Sequence, residues 1–380
     1  MRWRGVWRRL PSLPQPRHDH AMTVAEVEGR TTVLAFGGNF GASFGEGTPQ
    51  QWDLWRLDFE RPLSWIGPLA ATGASAVEAR GGFGAATLGD DTTVVVGGYG
   101  EGNGGHPRGV VSLSLSGADC PAWRNEGAAE GVEARSGATL TALRGGDAQT
   151  AVLYGGYGEI SGGDLRSVYR ATLSPSSSDD ESGSGGGGVA WDELQQSDDG
   201  GGGAHPEPEP RCAHAAASAS SSTVLVHGGY GATSGPLSDL WALRVDSEDA
   251  TFAWTPVVTT GVAPSARSGH CFVEVGRSGV YLVWGGVGVD GVGCSDAFLY
   301  DAAAARWERV DNRGDAPAPR YNCRAAAVGD SAVVVSGGYT CDLDGVPGRA
   351  VGEVFCLELQ PQEQEHEPSA GSEFASDSKV

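Results

Sequence analysis

Basic residues are scarce in this 380-residue chain, which has 26 Lys and Arg against 48 Asp and Glu and a net charge of −22. Phosphate binding requires a cationic face, so this balance excludes nucleic acid and anionic membrane as main partners. Part of the acidity lies in segments that we expect to be disordered. Residues 174–210 hold nine acids and no Lys or Arg, and residues 360–380 have a net charge of −4.

Paired cysteines and long apolar runs are also lacking. The seven Cys include no CxxC pair, which excludes a zinc module or a disulfide framework. No run is apolar enough to span a membrane, and the N-terminus "MRWRGVWRRL" lacks the apolar stretch of a signal peptide. Its arginines leave an organelle transit segment as the alternative. We expect a cytoplasmic protein, with the nucleus as a second compartment.

Amphipathic helical patterns are absent, whereas glycine occurs 61 times. An apolar run that ends in two glycines, as in "VVVGGYG" at 94–100, recurs six times at intervals of 52 to 73 residues. A nucleotide-binding glycine turn occurs once per site and opens a helix, so six copies indicate a repeat with the period of propeller blades. The pairs are Gly37 and Gly38, Gly97 and Gly98, Gly155 and Gly156, Gly228 and Gly229, Gly285 and Gly286, and Gly337 and Gly338.

Each repeat predicts four short strands, which we name a to d. An Arg precedes each glycine pair by 17 to 20 residues, and strand b is the apolar run before the pair. Strand c carries Asp and aromatic residues, and strand d carries a Trp that can cover the neighbouring repeat. The arginines are Arg17, Arg80, Arg135, Arg211, Arg267 and Arg320, and the tryptophans are Trp7, Trp65, Trp123, Trp191, Trp254 and Trp307.

This pattern resembles the kelch repeat, and the resemblance covers nearly all of residues 1–359. It implies an all-β fold, a six-bladed kelch β-propeller. The sixth repeat ends at "EVFCLEL" with no Trp after it, but "WRGVWRRLPSLPQPR" at 3–17 has the layout of "WERVDNRGDAPAPR" at 307–320. We therefore expect the N-terminal strand to supply strand d of the sixth blade and to close the ring.

The predicted domain organisation is one propeller over residues 1–359 and a disordered acidic tail over 360–380. Blade 3 is irregular, because low-complexity segments at 174–188 and 195–210 flank Trp191. We interpret both segments as flexible insertions in the loops before and after strand d. Inert expansion and a functional role both remain open for them.

Candidate binding residues lie in the loops between strands b and c, which share one face of a propeller with the d–a loops. Loops on a rigid scaffold commonly carry binding sites, and Tyr and Arg are frequent interface hot spots. The partner-binding candidates are Phe44, Glu46, Tyr99, Glu101, Arg108, Tyr157, Glu159, Arg166, Tyr230, Tyr339 and Arg349.

Structural alternatives stand beside these candidates. An aromatic residue that recurs after the glycine pair can pack between blades instead of contacting a ligand. The repeated Arg residues can bond backbone carbonyls at strand starts or ring the channel mouth. His20, His214 and His270 each follow a repeated Arg by three residues, and we favour structural hydrogen bonds for them over a metal site.

Two functions follow from the resemblance. Kelch-only proteins act as interaction platforms or scaffolds, which implies an unidentified protein partner, a monomer, no cofactor and no metal. The alternative is a propeller enzyme or carbohydrate-binding protein of the galactose oxidase type, with its site at the channel mouth. The Glu-x3-Asp-x3-His iron motif of specifier proteins is absent from the sequence, and the copper-site Tyr and Cys of the oxidase cannot be matched. We therefore favour the binding platform.

Overall fold

The structure, a computed structural model, describes residues 2–27, 30–40, 52–59, 63–74, 77–89, 91–100, 105–115, 121–145, 149–174, 188–197, 206–246, 248–341 and 348–362. No helix in these segments is long and apolar enough to cross a membrane. Three predicted binding residues, Phe44, Glu46 and Glu101, lie outside the described residues. So do residues 363–380 of the predicted tail and most of the two predicted insertions.

The regular secondary structure of the described residues consists of β-strands. The first half of the chain forms β1 (Arg2–Leu10), β2 (Ala21–Val27), β3 (Arg30–Phe36), β4 (Leu54–Asp58), β5 (Ser64–Ile66), β6 (Gly84–Leu88), β7 (Thr92–Val96), β8 (Gly109–Ser114), β9 (Ala122–Ala128), β10 (Arg135–Ser136), β11 (Thr139–Ala142), β12 (Thr150–Tyr154), β13 (Tyr157–Gly158), β14 (Val168–Leu173), β15 (Val189–Glu193) and β16 (Gln195–Gln196). The second half forms β17 (Ala215–Ser218), β18 (Thr223–Gly231), β19 (Gly235–Asp246), β20 (Thr251–Pro256), β21 (Thr260–Gly261), β22 (Cys271–Val275), β23 (Val280–Trp284), β24 (Ala297–Asp301), β25 (Arg306–Arg309), β26 (Asp311–Gly314), β27 (Arg320–Tyr321), β28 (Arg324–Val328), β29 (Ala332–Ser336), β30 (Tyr339–Thr340) and β31 (Val354–Gln362).

Six antiparallel sheets of strands a to d form a ring, which confirms the predicted six-bladed propeller. Strand a of every blade contacts strand a of both neighbours, so the ring is closed around a central channel. Strands b are buried on both faces, as their continuous apolar sequences require. Blades 1 to 6 are, in the order a to d, β2–β3–β4–β5, β6–β7–β8–β9, β11–β12–β14–β15, β17–β18–β19–β20, β22–β23–β24–β25 and β28–β29–β31–β1.

The N-terminal strand closes the sixth blade, as predicted. β1 pairs antiparallel with β31 from Arg2↔Gln362 to Leu10↔Val354. Its Trp7 is 1% exposed in a core cluster shared by blades 5 and 6. Arg8 and Arg9 are both exposed, and they pair with Glu358 at 3.1 Å and with Glu353 at 3.0 Å. β31 continues to Gln362, three residues beyond the boundary expected at 359.

The blades pack through aromatic pairs. In four blades the Trp of strand d contacts the residue before the glycine pair of the preceding blade, so one large ring fills the gap between those two sheets. Trp65 and Trp191 are only half-buried. The pairs, with distances between ring centroids, are Trp123 with Phe36 at 5.4 Å, Trp254 with Tyr154 at 4.8 Å, Trp307 with His227 at 5.3 Å and Trp7 with Trp284 at 5.4 Å.

The outer edges of four blades carry an extra pairing that the sequence pattern did not predict. After strand d, the chain pairs in parallel with strand d of the next blade before it enters that blade. β16 pairs with β20, β21 pairs with β25 and β26 pairs with β1, while Thr72 bridges Ala122. Each pairing covers a strand edge that would otherwise offer free backbone groups to another chain.

Blade 4 differs from the others in its b–c connection. We predicted a loop over residues 230–238, but β18 and β19 extend into it and leave only a short turn at 232–234. A register shift between His227 and Gly229 accommodates the glycine pair within the hairpin.

Candidate functional site at the channel mouth and the loop face

The six repeated arginines are buried, with 0–2% of each residue exposed. Each guanidinium donates a hydrogen bond to the carbonyl of the first glycine of its own blade. The sequence left two roles open for these arginines, and this contact is the one to backbone carbonyls. These Nη1-to-O distances are 3.3 Å for Arg17 to Gly37, 3.3 Å for Arg80 to Gly97, 2.9 Å for Arg135 to Gly155, 2.9 Å for Arg211 to Gly228, 3.1 Å for Arg267 to Gly285 and 3.3 Å for Arg320 to Gly337.

Four of these arginines also pair with a carboxylate just before strand c, whereas two do not. Asp53, Asp239, Asp296 and Glu353 accept bonds of 2.7–2.9 Å in blades 1, 4, 5 and 6. Gly109 and Ser167 occupy the equivalent positions in blades 2 and 3. Arg135 reaches only the Ser167 hydroxyl at 3.1 Å, and its buried Nη2 has no hydrogen-bond partner. Burial lowers the pKa of Arg135, and the nearby Tyr169, Glu133 and Glu193 offset this effect only in part.

Because blade 4 has a carboxylate just before strand c and blade 3 lacks it, we expect substitutions at the same position to change stability in opposite directions. Asp239→Asn should destabilise the protein by about 2–3 kcal/mol, because it leaves the buried Arg211 charge uncompensated. Ser167→Asp should stabilise it by about 1 kcal/mol, because it supplies the carboxylate that blade 3 lacks. Denaturant-induced unfolding at pH 7 measures both changes. Ser167→Ala is the matched control and should be destabilising; equal losses for Ser167→Asp and Ser167→Ala would contradict the argument.

A closed ring of backbone hydrogen bonds surrounds the channel mouth. The residue two positions after each Arg donates its N–H to the carbonyl of the equivalent residue in the preceding blade, over 2.7–3.0 Å. All six have a left-handed backbone with φ of 50–66°, which favours Gly, Asn and Asp. Our sequence interpretation missed this position, although five of the six residues are of those types. The ring consists of Asp19, Gly82, Gly137, Ala213, Gly269 and Asn322.

The glycine pairs form the second blade-to-blade joint. The N–H of the second glycine donates to the carbonyl of the repeated Arg in the next blade, for example from Gly156 to Arg211 over 2.9 Å. The first glycine leaves room for the side chain three residues after that Arg. A Cβ on Gly155 would lie 2.9 Å from Cε1 of His214, so the joint excludes larger residues. These contacts explain why the glycine pair recurs in every blade.

Each of the three repeated histidines forms its own hydrogen bond to the preceding blade. His20 Nε2 is 2.7 Å from Ser336 Oγ, His214 Nε2 is 2.8 Å from Thr139 Oγ1 and His270 Nε2 is 2.9 Å from His227 Nδ1. Each histidine therefore bridges to a different preceding blade. Among the described residues, no group of three or more His, Cys, Asp or Glu side chains is arranged to hold a metal ion.

The channel contains a cavity of about 590 Å³. Gly, Ala and Thr at the starts of strands a form nearly half of its wall. Its polar lining residues include Asn39, Ser136, His214, His270 and Arg324. They also include His18 and Asp19, whose Nδ1 and Oδ2 atoms lie 2.7 Å apart, and Asn322, which donates to Asp19 over 3.1 Å. Tyr99 lies at its rim, on the face formed by the b–c loops.

Three of the predicted tyrosines form an exposed arc on consecutive blades. Tyr99, Tyr157 and Tyr230, of blades 2, 3 and 4, are 40%, 44% and 45% exposed, and Ile160 beside them is 72% exposed. Their backbones are held by short ladders such as the Tyr230–Cys212 pair, with N-to-O distances of 2.8 and 3.0 Å. Tyr339 differs, because it is half-buried against Tyr321 and His18. We call Tyr99, Tyr157, Ile160 and Tyr230 the tyrosine arc.

The predicted charged residues do not form one cluster. Glu159 and Arg108 are exposed beside the tyrosine arc, and Arg166 forms an exposed ion pair with Glu207. Arg349 lies on blade 6, outside the arc. Sequence reasoning missed Glu133 and Glu209, two residues before Arg135 and Arg211, which accept backbone N–H groups in the b–c turns of blades 3 and 4. The recurring Glu-x-Arg spacing was the available signal.

The closed ring of six four-stranded blades defines a β-propeller. The solved structure titled "Structure of YjhT" shares this fold, with a TM-score of 0.61 and 14% identity over 93% of this chain and 99% of that one. The family model of the KLHDC2/KLHL20/DRC7 Kelch-repeats domain matches residues 189–373. This match shows kelch repeats in the second half of the chain, and the six blades in register show the fold of a β-propeller.

The relatives that this chain matches share only part of their length with it. Acyl-CoA-binding domain-containing proteins 4 and 5 of Arabidopsis thaliana are 26% and 29% identical over 174 residues, which cover 46% of this chain. Tip elongation aberrant protein 1 of Schizosaccharomyces pombe is 28% identical over 122 residues, or 31% of this chain. The matched segments span 24%, 25% and 10% of those proteins.

Proposed function

We propose that this chain is a protein-interaction platform that binds a protein partner through the b–c and d–a loop face. The observation that carries the proposal is the tyrosine arc. Large amphipathic rings at 40–45% exposure stand at the same loop position of three consecutive blades, and tyrosine is frequent among interface hot spots. A residue used only for packing between blades would be buried, as Tyr339 partly is.

Preorganisation of the arc supports the same function. The backbone of each exposed tyrosine pairs with the segment that leads into strand a, and the rings of hydrogen bonds at the channel mouth hold those segments together. Binding through such residues loses little backbone entropy, because their positions are already fixed in the free protein. Kelch propellers commonly serve in protein interactions, in agreement with this geometry.

The test is comparative capture of partners from native lysate, read by mass spectrometry. The wild type is compared with a Tyr99→Ser, Tyr157→Ser, Tyr230→Ser variant and with a control that carries Glu248→Gln and Asp330→Asn on the opposite face. We expect a partner that the wild type and the control retain and the tyrosine variant loses. Identical captures by all three proteins would contradict the proposed face. Matching unfolding curves ensure that the variants are folded.

A further inference from the structure

The loops that carry the tyrosine arc are acidic. The described segments 105–108, 129–134, 157–166, 206–210 and 230–234 contain six carboxylates and only two arginines. One of those arginines, Arg166, is already paired with Glu207. The acids are Glu130, Glu133, Glu159, Asp164, Glu207 and Glu209.

These carboxylates alternate with the tyrosines around the face. The side chain of Glu159 extends from blade 3 to Gly105 in the b–c loop of blade 2, so it lies between the positions of Tyr99 and Tyr157. Glu133 accepts the N–H groups of Ile160 at 2.8 Å and Ser161 at 2.6 Å. Glu209 accepts those of Thr233 at 2.9 Å and Ser234 at 3.2 Å, beyond Tyr230. The aromatic and acidic groups therefore share one surface.

The fold favours the charged form of two of these carboxylates, Glu209 and Glu133, whereas burial raises the pKa of Asp164. Hydrogen bonds from the Ser234 side chain and from the backbone of the turn lower the pKa of Glu209. Burial opposes the same effect at Glu133, but the hydrogen bonds from Ser161 and Ile160 outweigh it and lower that pKa as well. The negative charge is thus a fixed property of the two loops at neutral pH.

The face of an aromatic ring attracts cations, and neighbouring carboxylates also attract cations, over a longer range. An acidic partner segment would be repelled by this surface, and a purely apolar one would leave the carboxylates desolvated without partners. Charge complementarity therefore favours one class of occupant.

We propose that the tyrosine arc binds an extended, Arg- or Lys-rich segment of the partner protein. Its cationic side chains would lie on the faces of Tyr99, Tyr157 and Tyr230 and pair with the intervening carboxylates. This inference rests on the proposed interaction function and specifies the partner's chemistry. The two arginines of these loops do not outweigh the acids, because Arg166 is paired with Glu207 and Arg108 is one exposed cation beside six carboxylates.

The test uses three synthetic 12-residue peptides of Gly and Ser that carry four Arg, four Lys or four Glu. Fluorescence anisotropy measures their binding to the full chain at low and physiological salt. The Arg and Lys peptides should bind, and the Glu peptide should not. The Tyr99→Ser, Tyr157→Ser, Tyr230→Ser variant should lose at least about tenfold in affinity for the Arg peptide, although its net charge is unchanged. Glu130→Gln with Glu159→Gln should weaken binding and reduce its salt dependence.

The control with Glu248→Gln and Asp330→Asn removes the same number of charges from the opposite face and should bind like the wild type. Equal binding of the Arg peptide to the wild type and the tyrosine variant would overturn the proposal. In that case the net negative charge of the protein would be enough to explain the binding. If lysate capture depends on the tyrosines but the basic peptides do not bind, the platform stands and its proposed basic ligand is wrong.

Discussion

Deletion of residues 1–10 is expected to unfold the whole propeller. β1 contributes the nine paired positions of strand d in blade 6, and its Trp7 fills the gap between blades 5 and 6. Loss of a buried Trp alone costs about 3–5 kcal/mol, and the deletion also exposes the edge of β31. The total is comparable with the 5–15 kcal/mol stability of a typical domain. Circular dichroism and denaturant titration of the truncated chain measure the effect.

Two further variants separate closure of the ring from a general effect of truncation. Trp7→Ala should destabilise the protein by about 3–5 kcal/mol, whereas Arg8→Ser should change stability by less than about 1 kcal/mol because its ion pair with Glu358 is exposed. A synthetic peptide of residues 1–12, added to the truncated chain, should restore native circular dichroism. A truncated chain that unfolds at the same denaturant concentration as the full chain would show that β1 does not close the ring.

Acidification from pH 6.5 to pH 5 is expected to remove most of the folding stability. Burial, with a further contribution from nearby arginines, lowers the pKa of His214 and His227 to about 3. Burial also lowers the pKa of His20 and His270 well below its usual value. The unfolded chain therefore takes up protons below about pH 6.5 that the native state excludes, so the free energy of unfolding falls as the pH falls. At pH 5 the loss is about 2 kcal/mol for each of His214 and His227, and His20 and His270 add losses of the same sign.

The losses at His214 and His227, together with those at His20 and His270, are a large part of the roughly 5–15 kcal/mol stability of a typical domain. Hydrogen bonds and charge from Arg211 outweigh burial and lower the pKa of Asp239, so its contribution disappears below about pH 4. His214→Cys, which copies Cys323 at the equivalent position of blade 6, should reduce the slope of stability against pH by about a quarter. Denaturant titrations at four pH values between 7.5 and 5 provide the slopes. A free energy of unfolding that stays constant across this range would disprove the argument.

Much of the fold could be predicted because each repeat has its pattern within a short segment of the sequence. The apolar runs before the glycine pairs set strands b, and the Trp of "WRGVWRRL" marked the N-terminal segment as the missing strand d. Pairings between blades could not be predicted in the same way. The ring through Asp19, Gly82 and the four equivalent residues joins positions that are distant along the chain, and so do the parallel edge strands β16, β21 and β26.

The candidate site, like the fold, could be predicted only in part. Sequence identified the tyrosines after the glycine pairs, but the same repeat position is exposed in Tyr157 and half-buried in Tyr339. Exposure depends on the neighbouring loop, since Tyr321 and His18 cover Tyr339, whereas Tyr157 is 44% exposed among the described residues. The role of the acids depended likewise on geometry, because the Glu-x-Arg spacing alone does not reveal which backbone N–H groups the carboxylate accepts.

The sequence by itself determined the number of blades, the order of their strands and the strand that closes the ring. Each follows from a local pattern of apolar, glycine and tryptophan residues, repeated six times. Only the tertiary structure decided that the repeated arginines are buried, that two of them lack a carboxylate and that the tyrosines of blades 2 to 4 form one acidic surface. Those properties arise where neighbouring blades meet, and the packing of six sheets around one axis sets the distances between them.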